Sequence, residues 1–138
     1  MHKLVLLVLG LSLGGCVATS QMDKAEMEAG PAPETVKTAI VNGARTYMSG
    51  PYVLRTAEIS TMPFDALRDR HYVCVRADAA NAGGEDLGRK VMAVFVRNER
   101  PVATSLNDPL CARPGLRWEP FPELEACLLY TSPSPRDS

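Results

Sequence analysis

The 138-residue chain is short of the residues that catalytic and nucleic-acid-binding sites are usually made from. It holds two histidines, His2 and His71, and a single tryptophan, Trp118. Neither a histidine-rich metal cage nor an aromatic stacking platform has the side chains it needs. Charge of one sign is also missing. From Val17 to Ala126 there are 13 Lys or Arg against 15 Asp or Glu, so no basic face is available for a nucleic-acid partner. The seven basic residues between Arg68 and Arg100 are interleaved with five acidic ones, the pattern of a solvated mixed face. Beyond Cys16 the chain has no C-x-x-C, G-x-S-x-G or H-E-x-x-H spacing. Catalytic residues, metal ligands and a cofactor are therefore not expected. Long apolar runs are missing as well: the longest, Leu4 to Leu13, has ten residues, about half of what a membrane-spanning helix requires.

That apolar run has a meaning of its own. Met1-His2-Lys3 is a short positive segment in front of it, and Gly14-Gly15 follow it. A charged start, a short apolar stretch and small residues form a secretory signal. Leu13-Gly14-Gly15-Cys16 resembles the lipobox of bacterial lipoproteins, in which a Leu, two small residues and a Cys are read by a dedicated peptidase. The resemblance implies removal of residues 1–15, a diacylglycerol on Cys16 and an acyl chain on the new amino terminus. Three chains hold a protein on a bilayer durably, where one holds it only marginally. Val17, rather than Asp, follows the cysteine. By the Gram-negative sorting rule this points to the outer membrane, with the domain facing the periplasm.

With Cys16 lipidated and Cys127 set aside, Cys74 and Cys111 remain. In an exported, oxidising compartment two such cysteines are expected to pair. Cys127 is set aside because Cys127-Leu128-Leu129-Tyr130-Thr131-Ser132-Pro133-Ser134-Pro135-Arg136-Asp137 resembles the translation of a transposon-end sequencing adapter. Residues 127–138 are therefore expected to be a non-native tail.

Residues 16–32 show no apolar periodicity and are expected to act as a flexible lipidated tether. From Pro33 onward the pattern changes. Pro33 suits a first helical position, Glu34 complements the helix dipole, and Val36, Ile40, Ala44 and Tyr47 recur at helical spacing. A helix over 33–49 follows, stopped by Gly50-Pro51. Four strands are expected next: 52–60, 71–79, 91–96 and an edge strand from Pro101 to about Leu106. Residues 80–88 read as a long hairpin loop. Val73, Val75 and Ala77 share one side of their strand, opposite Tyr72, Cys74, Arg76 and Asp78, and 91–96 is apolar on both sides. The expected fold is α+β, one amphipathic helix packed on an antiparallel sheet of about four strands, spanning 33–126.

The proline-rich end carries Trp118 and Phe121. Pinned by Cys111, it is expected to lie across the sheet, with these aromatics either closing the core or docking a partner. Helix, strands, one disulfide and a lipidated tether look like small proteobacterial envelope lipoproteins. The expected function is a membrane-anchored, non-enzymatic structural or protein-binding component. The alternative is a small ligand-binding or hydrolase-like module around His71 and nearby carboxylates such as Glu58, Asp65, Asp69 and Asp78.

Overall fold

The computed structural model describes residues 23–47, 52–81 and 83–129. Cys16, the signal segment and Gly50-Pro51 lie outside the described residues. So do residues 130–138.

Helix α1 covers residues 23–28, α2 runs Glu34–Tyr47 and α3 Pro122–Leu129. The strands are β1 Val53–Ser60, β2 Phe64–Asp65, β3 Arg70–Ala80, β4 Asp86–Arg97, β5 Arg100–Leu106 and β6 Trp118–Pro120. They form one six-stranded antiparallel sheet in the order β5-β4-β3-β1-β6. The short β2 continues along the β3 edge that β1 occupies, pairing Phe64 with His71 and Asp65 with Arg70. The class is α+β, as expected, with α2 packed on the sheet. The two additional strands are of two and three residues and sit beside prolines. They are too short to show a two-residue period, and only their neighbours in the sheet make them strands.

α2 forms where the spacing places it. Pro33 offers its carbonyl to the N–H groups of Val36 and Lys37, both at 3.0 Å, while Glu34 and Arg45 complement the dipole at the two ends. Its stripe points inward: Val36 and Ile40 are buried and Ala44 packs beside them. They meet Ile59, Val73, Val75, Ala77 and Val94 on one face of the sheet, and Phe121 and Leu124 from α3 complete that core. The opposite face buries a second cluster, Tyr72, Cys74, Ala93 and Phe95, beneath Leu110, Cys111 and Leu116. Alternation along β3 is therefore as expected. The double-sided apolarity of β4 has its cause, because both of its faces are covered.

Four details depart from the expectation. Strict alternation over 52–60 would put Val53, Ala57 and Ile59 on one side; β1 buries Ala57 and Ile59 but Leu54 in place of Val53. Its register skips from Arg55–Asp78 to Glu58–Arg76, and Thr56 takes a left-handed φ of 53°. This bulge switches which side chains point in. The hairpin loop is shorter than residues 80–88. Asn81 Oδ1 accepts the N–H groups of Gly83 and Glu85, and Gly84 supplies a φ of 85°, so the loop closes by Glu85. A further bulge pairs Ala79 with Gly88 and Ala80 with Asp86. α3 passes the expected domain end at Ala126 because Pro122 starts it, Glu123 and Glu125 favour its first turn and Leu124 is buried. The last departure concerns the tether. Residues 23–32 are attached to the domain, with Glu26 and Ala32 buried and Pro31 bridged to Thr61. Polar contacts with Tyr72 and Arg113, invisible to apolar periodicity, hold this stretch down.

Candidate interaction face

The two faces of the sheet differ in what covers them. The side bearing Val73 and Val75 lies under α2 and α3. Among the described residues the other side is covered at the end holding Tyr72 and Cys74, by the segment 108–118 and by α1, whose Glu26 meets the Tyr72 hydroxyl. Asp108 opens that segment by accepting the Leu110 N–H on its side chain at 2.9 Å, which caps a 3-10 turn, Pro109–Ala112. Cys111 then bonds to Cys74, with the Cα atoms 5.6 Å apart, well inside the range a disulfide spans. The expected pairing is present.

Beyond this cover, Arg76 and Asp78 stand on the open part of the face. The Arg76 guanidinium lies 3.8 Å over the Trp118 ring and its Nε donates to Glu58 Oε1 at 2.7 Å. Arg89 donates to the same Glu58 oxygen and to Asp78 Oδ1, each at 2.9 Å. Two cations and two anions thus form a neutral lattice beside a half-buried indole. Exposure screens these pairs, so each contributes about 0.2–1 kcal/mol, and the arginine over the ring adds about 0.5–1 kcal/mol. The product is a flat, preorganised surface more than a store of stability. At the covered end, Arg70 and Arg68 sit 4.0 and 6.0 Å from the Phe95 ring centroid.

Trp118 and Phe121, joined at the sequence level as one docking candidate, part company here. Trp118, on β6, pairs with Ser60 of β1 and lies half-buried on the Tyr72 side of the sheet, at the border of that side's cluster. Phe121 is fully buried in the helix-side core, so it is not a docking residue. Chain direction causes the split: β6 ends at Pro120, and Phe121 then turns to donate its N–H to Ala57 O at 2.8 Å while Glu125 accepts the Ala57 N–H at 3.1 Å.

His71 is exposed, with its ring edge-on to Phe64 at 5.1 Å. The carboxylates named with it do not converge on it. Glu58 and Asp78 are held by Arg76 and Arg89, and Asp65 is buried against Arg68 at 2.6 Å. That bond raises the Arg68 pKa, first through the hydrogen bond and then through the charge. Asp69 lies in the turn before β3 with a φ of 53°. Among the described residues no three His, Cys, Asp or Glu gather as metal ligands, and no helix is long and apolar enough to cross a membrane.

Sequence reasoning missed one polar centre. Under α1, the Tyr72 hydroxyl donates to Glu26 at 3.0 Å and Arg113 donates to the same carboxylate. The Tyr72 pKa is raised, by burial first and by Glu26 second, with Arg113 opposing. The Arg113 pKa is raised by its bond to Glu26. For Tyr72 the sign follows directly. An unfolded phenol ionises near pH 10 while the folded one keeps its proton, so stability present below about pH 10 is lost as pH rises, by up to about 1.4 kcal/mol per pH unit. Tyr72→Phe is expected to remove this decline in denaturant midpoints followed from about pH 8 to 11. An equal alkaline loss in both proteins would assign the effect elsewhere. No signal along the sequence points to Glu26, because its partners lie 46 and 87 residues away.

No family model, curated protein or solved structure matches the chain.

Proposed function

We propose that the protein is a non-enzymatic component of the bacterial cell envelope, held by lipid on Cys16, in the outer membrane, and binding an envelope protein through the face around Trp118 and Arg76. The observation that carries this reading is the Cys74–Cys111 bridge, which belongs to an oxidising compartment. It agrees with the export signal and lipobox at the amino terminus. The open face suits a protein partner. An aromatic stacked with an arginine is the composition of interface hot spots, and a neutral lattice of ion pairs allows docking without stranding a charge. Nothing around His71 favours the ligand-binding or hydrolase-like reading.

The test is crosslinking in intact cells with the lipidated protein as bait. One envelope protein is expected to be recovered, its yield falling about tenfold or more with Trp118→Ala, the loss of a hot-spot residue. Undiminished yield from Trp118→Ala would remove the face from the proposal. Acyl labelling that persisted in Cys16→Ser would remove the anchor.

A further inference from the structure

The polar centre under α1 does more than fill space. Glu26 is 2% exposed and accepts from both Tyr72 and Arg113. Arg113 Nη2 also donates to Asp23 Oδ1 at 2.6 Å, so one guanidinium grips two positions a turn apart on the helix. Arg117 reaches the end of the helix, donating to the carbonyls of Met27 at 2.9 Å and Ala29 at 2.6 Å, groups that a helix terminus leaves free. Gly115, between the two arginines, gives the helix room. A Cβ there would stand 2.8 Å from Glu26 Cβ and 2.9 Å from Oε1. Arg113, Gly115 and Arg117 all belong to the segment that Cys111 pins to β3.

The grip is polar and incomplete. Met27 is 67% exposed, so α1 brings little apolar burial, and a helix this short has little stability of its own. Glu26 Oε1 is buried and finds no partner among the described residues, which works against the docked state.

We infer that residues 23–29 are a releasable clip that sets how far the domain stands from its lipid anchor. The effect on reach rests on the lipid-anchor reading; the clip itself does not. When closed, six residues, 17–22, separate Cys16 from the grip, a span of at most about 20 Å. When open, the next hold is Met62 N–H on Gly30 O at 2.9 Å, followed by the Pro31–Thr61 bridge. Thirteen residues, 17–29, then separate Cys16 from that hold, a span of at most about 45 Å. Opening the clip thus adds up to about 25 Å to the greatest height at which the Trp118 face can meet a partner. Because both arginines ride on the disulfide-pinned segment, the Cys74–Cys111 bond supports the closed form.

Lys24, exposed on α1, reports the state of the clip, since trypsin must open a helix to cleave it. The full lipidated chain in detergent is digested and cleavage after Lys24 is followed by mass spectrometry. In the native protein this cut is expected to be at least about tenfold slower than in the denatured, reduced protein. Gly115→Ala, whose backbone lies outside the left-handed region, crowds Glu26 without removing a charge. Glu26→Gln removes the charge and keeps the shape. Each is expected to speed the cut about tenfold while the circular dichroism and the non-reduced mass stay unchanged. Native cleavage at the denatured rate, or variants no faster than native, overturns the clip. If a variant fails to fold, the native-to-denatured comparison still decides. Palmitate labelling of the same preparations reports separately on the anchor: an unlabelled native protein removes the effect on reach and leaves the Lys24 rates to judge the clip.

Discussion

Replacing Cys74 and Cys111 together by alanine is expected to lower stability by about 4 kcal/mol and the melting temperature by roughly 15–30 °C. The bond joins residues 37 apart in sequence. In the chain-entropy description, opening a loop of that length returns about 4 kcal/mol of freedom to the unfolded state. The native contacts explain why the effect is not softened. The segment 108–120 makes one 3-10 turn and one three-residue strand, too little regular structure to hold itself against the sheet. Leu110 and Leu116 are buried only because the segment stays down over Tyr72, Cys74 and Phe95. Domain stabilities of about 5–15 kcal/mol leave little margin after such a loss. Thermal unfolding of the oxidised protein beside the double variant measures it. A shift below about 5 °C would mean that packing, not the covalent link, holds the segment.

Phe121→Ala is expected to cost about 3–5 kcal/mol, the usual effect of emptying a large buried aromatic site. Phe121 has no exposed surface. It lies in one core with Val36, Ile59 and Leu124, and Lys37 Nζ stands 5.8 Å from its ring centroid. The loss should spread beyond the side chain, because Phe121 is where β6 gives way to α3 and α3 closes the core beside α2. Trp118→Ala is expected to cost clearly less, since its ring is half-buried at the border of the Tyr72–Phe95 cluster and Arg76, stacked on it, keeps its bond to Glu58. Denaturant unfolding of both variants makes the comparison. Equal losses would mean that Trp118 is also a core residue, and the open face would lose its anchor for a partner.

These two aromatics show how far local pattern reaches. Three positions apart in a proline-rich segment, they have no period that assigns them sides. The strand ending at Pro120 and the helix starting at Pro122 send one to each face of the sheet. β1 teaches the same point on a smaller scale. Ala57 and Ile59 point inward as alternation has them, and Arg55 breaks the pattern in the sequence; what the residue types do not show is the left-handed residue at Thr56 that shifts the register and turns Leu54 inward in place of Val53.

The sequence by itself determined what depends on neighbours a few residues away. The amphipathic stripe of α2, the two sides of β3 and the double burial of β4 follow from periodicity, because helix and strand side chains recur at fixed intervals, and the edge position of β5 follows from Pro101, which has no N–H for a ladder. It also left Cys74 and Cys111 as the pair to join. Only the tertiary structure decided matters settled by distant partners. β6 exists because β1 offers an edge at Glu58, Ile59 and Ser60. Glu26 is buried because Arg113 and Tyr72 wait for it across 87 and 46 residues. A buried carboxylate is tolerated only where hydrogen bonds and an opposite charge meet it, and such company is assembled by the fold, not by the adjoining chain.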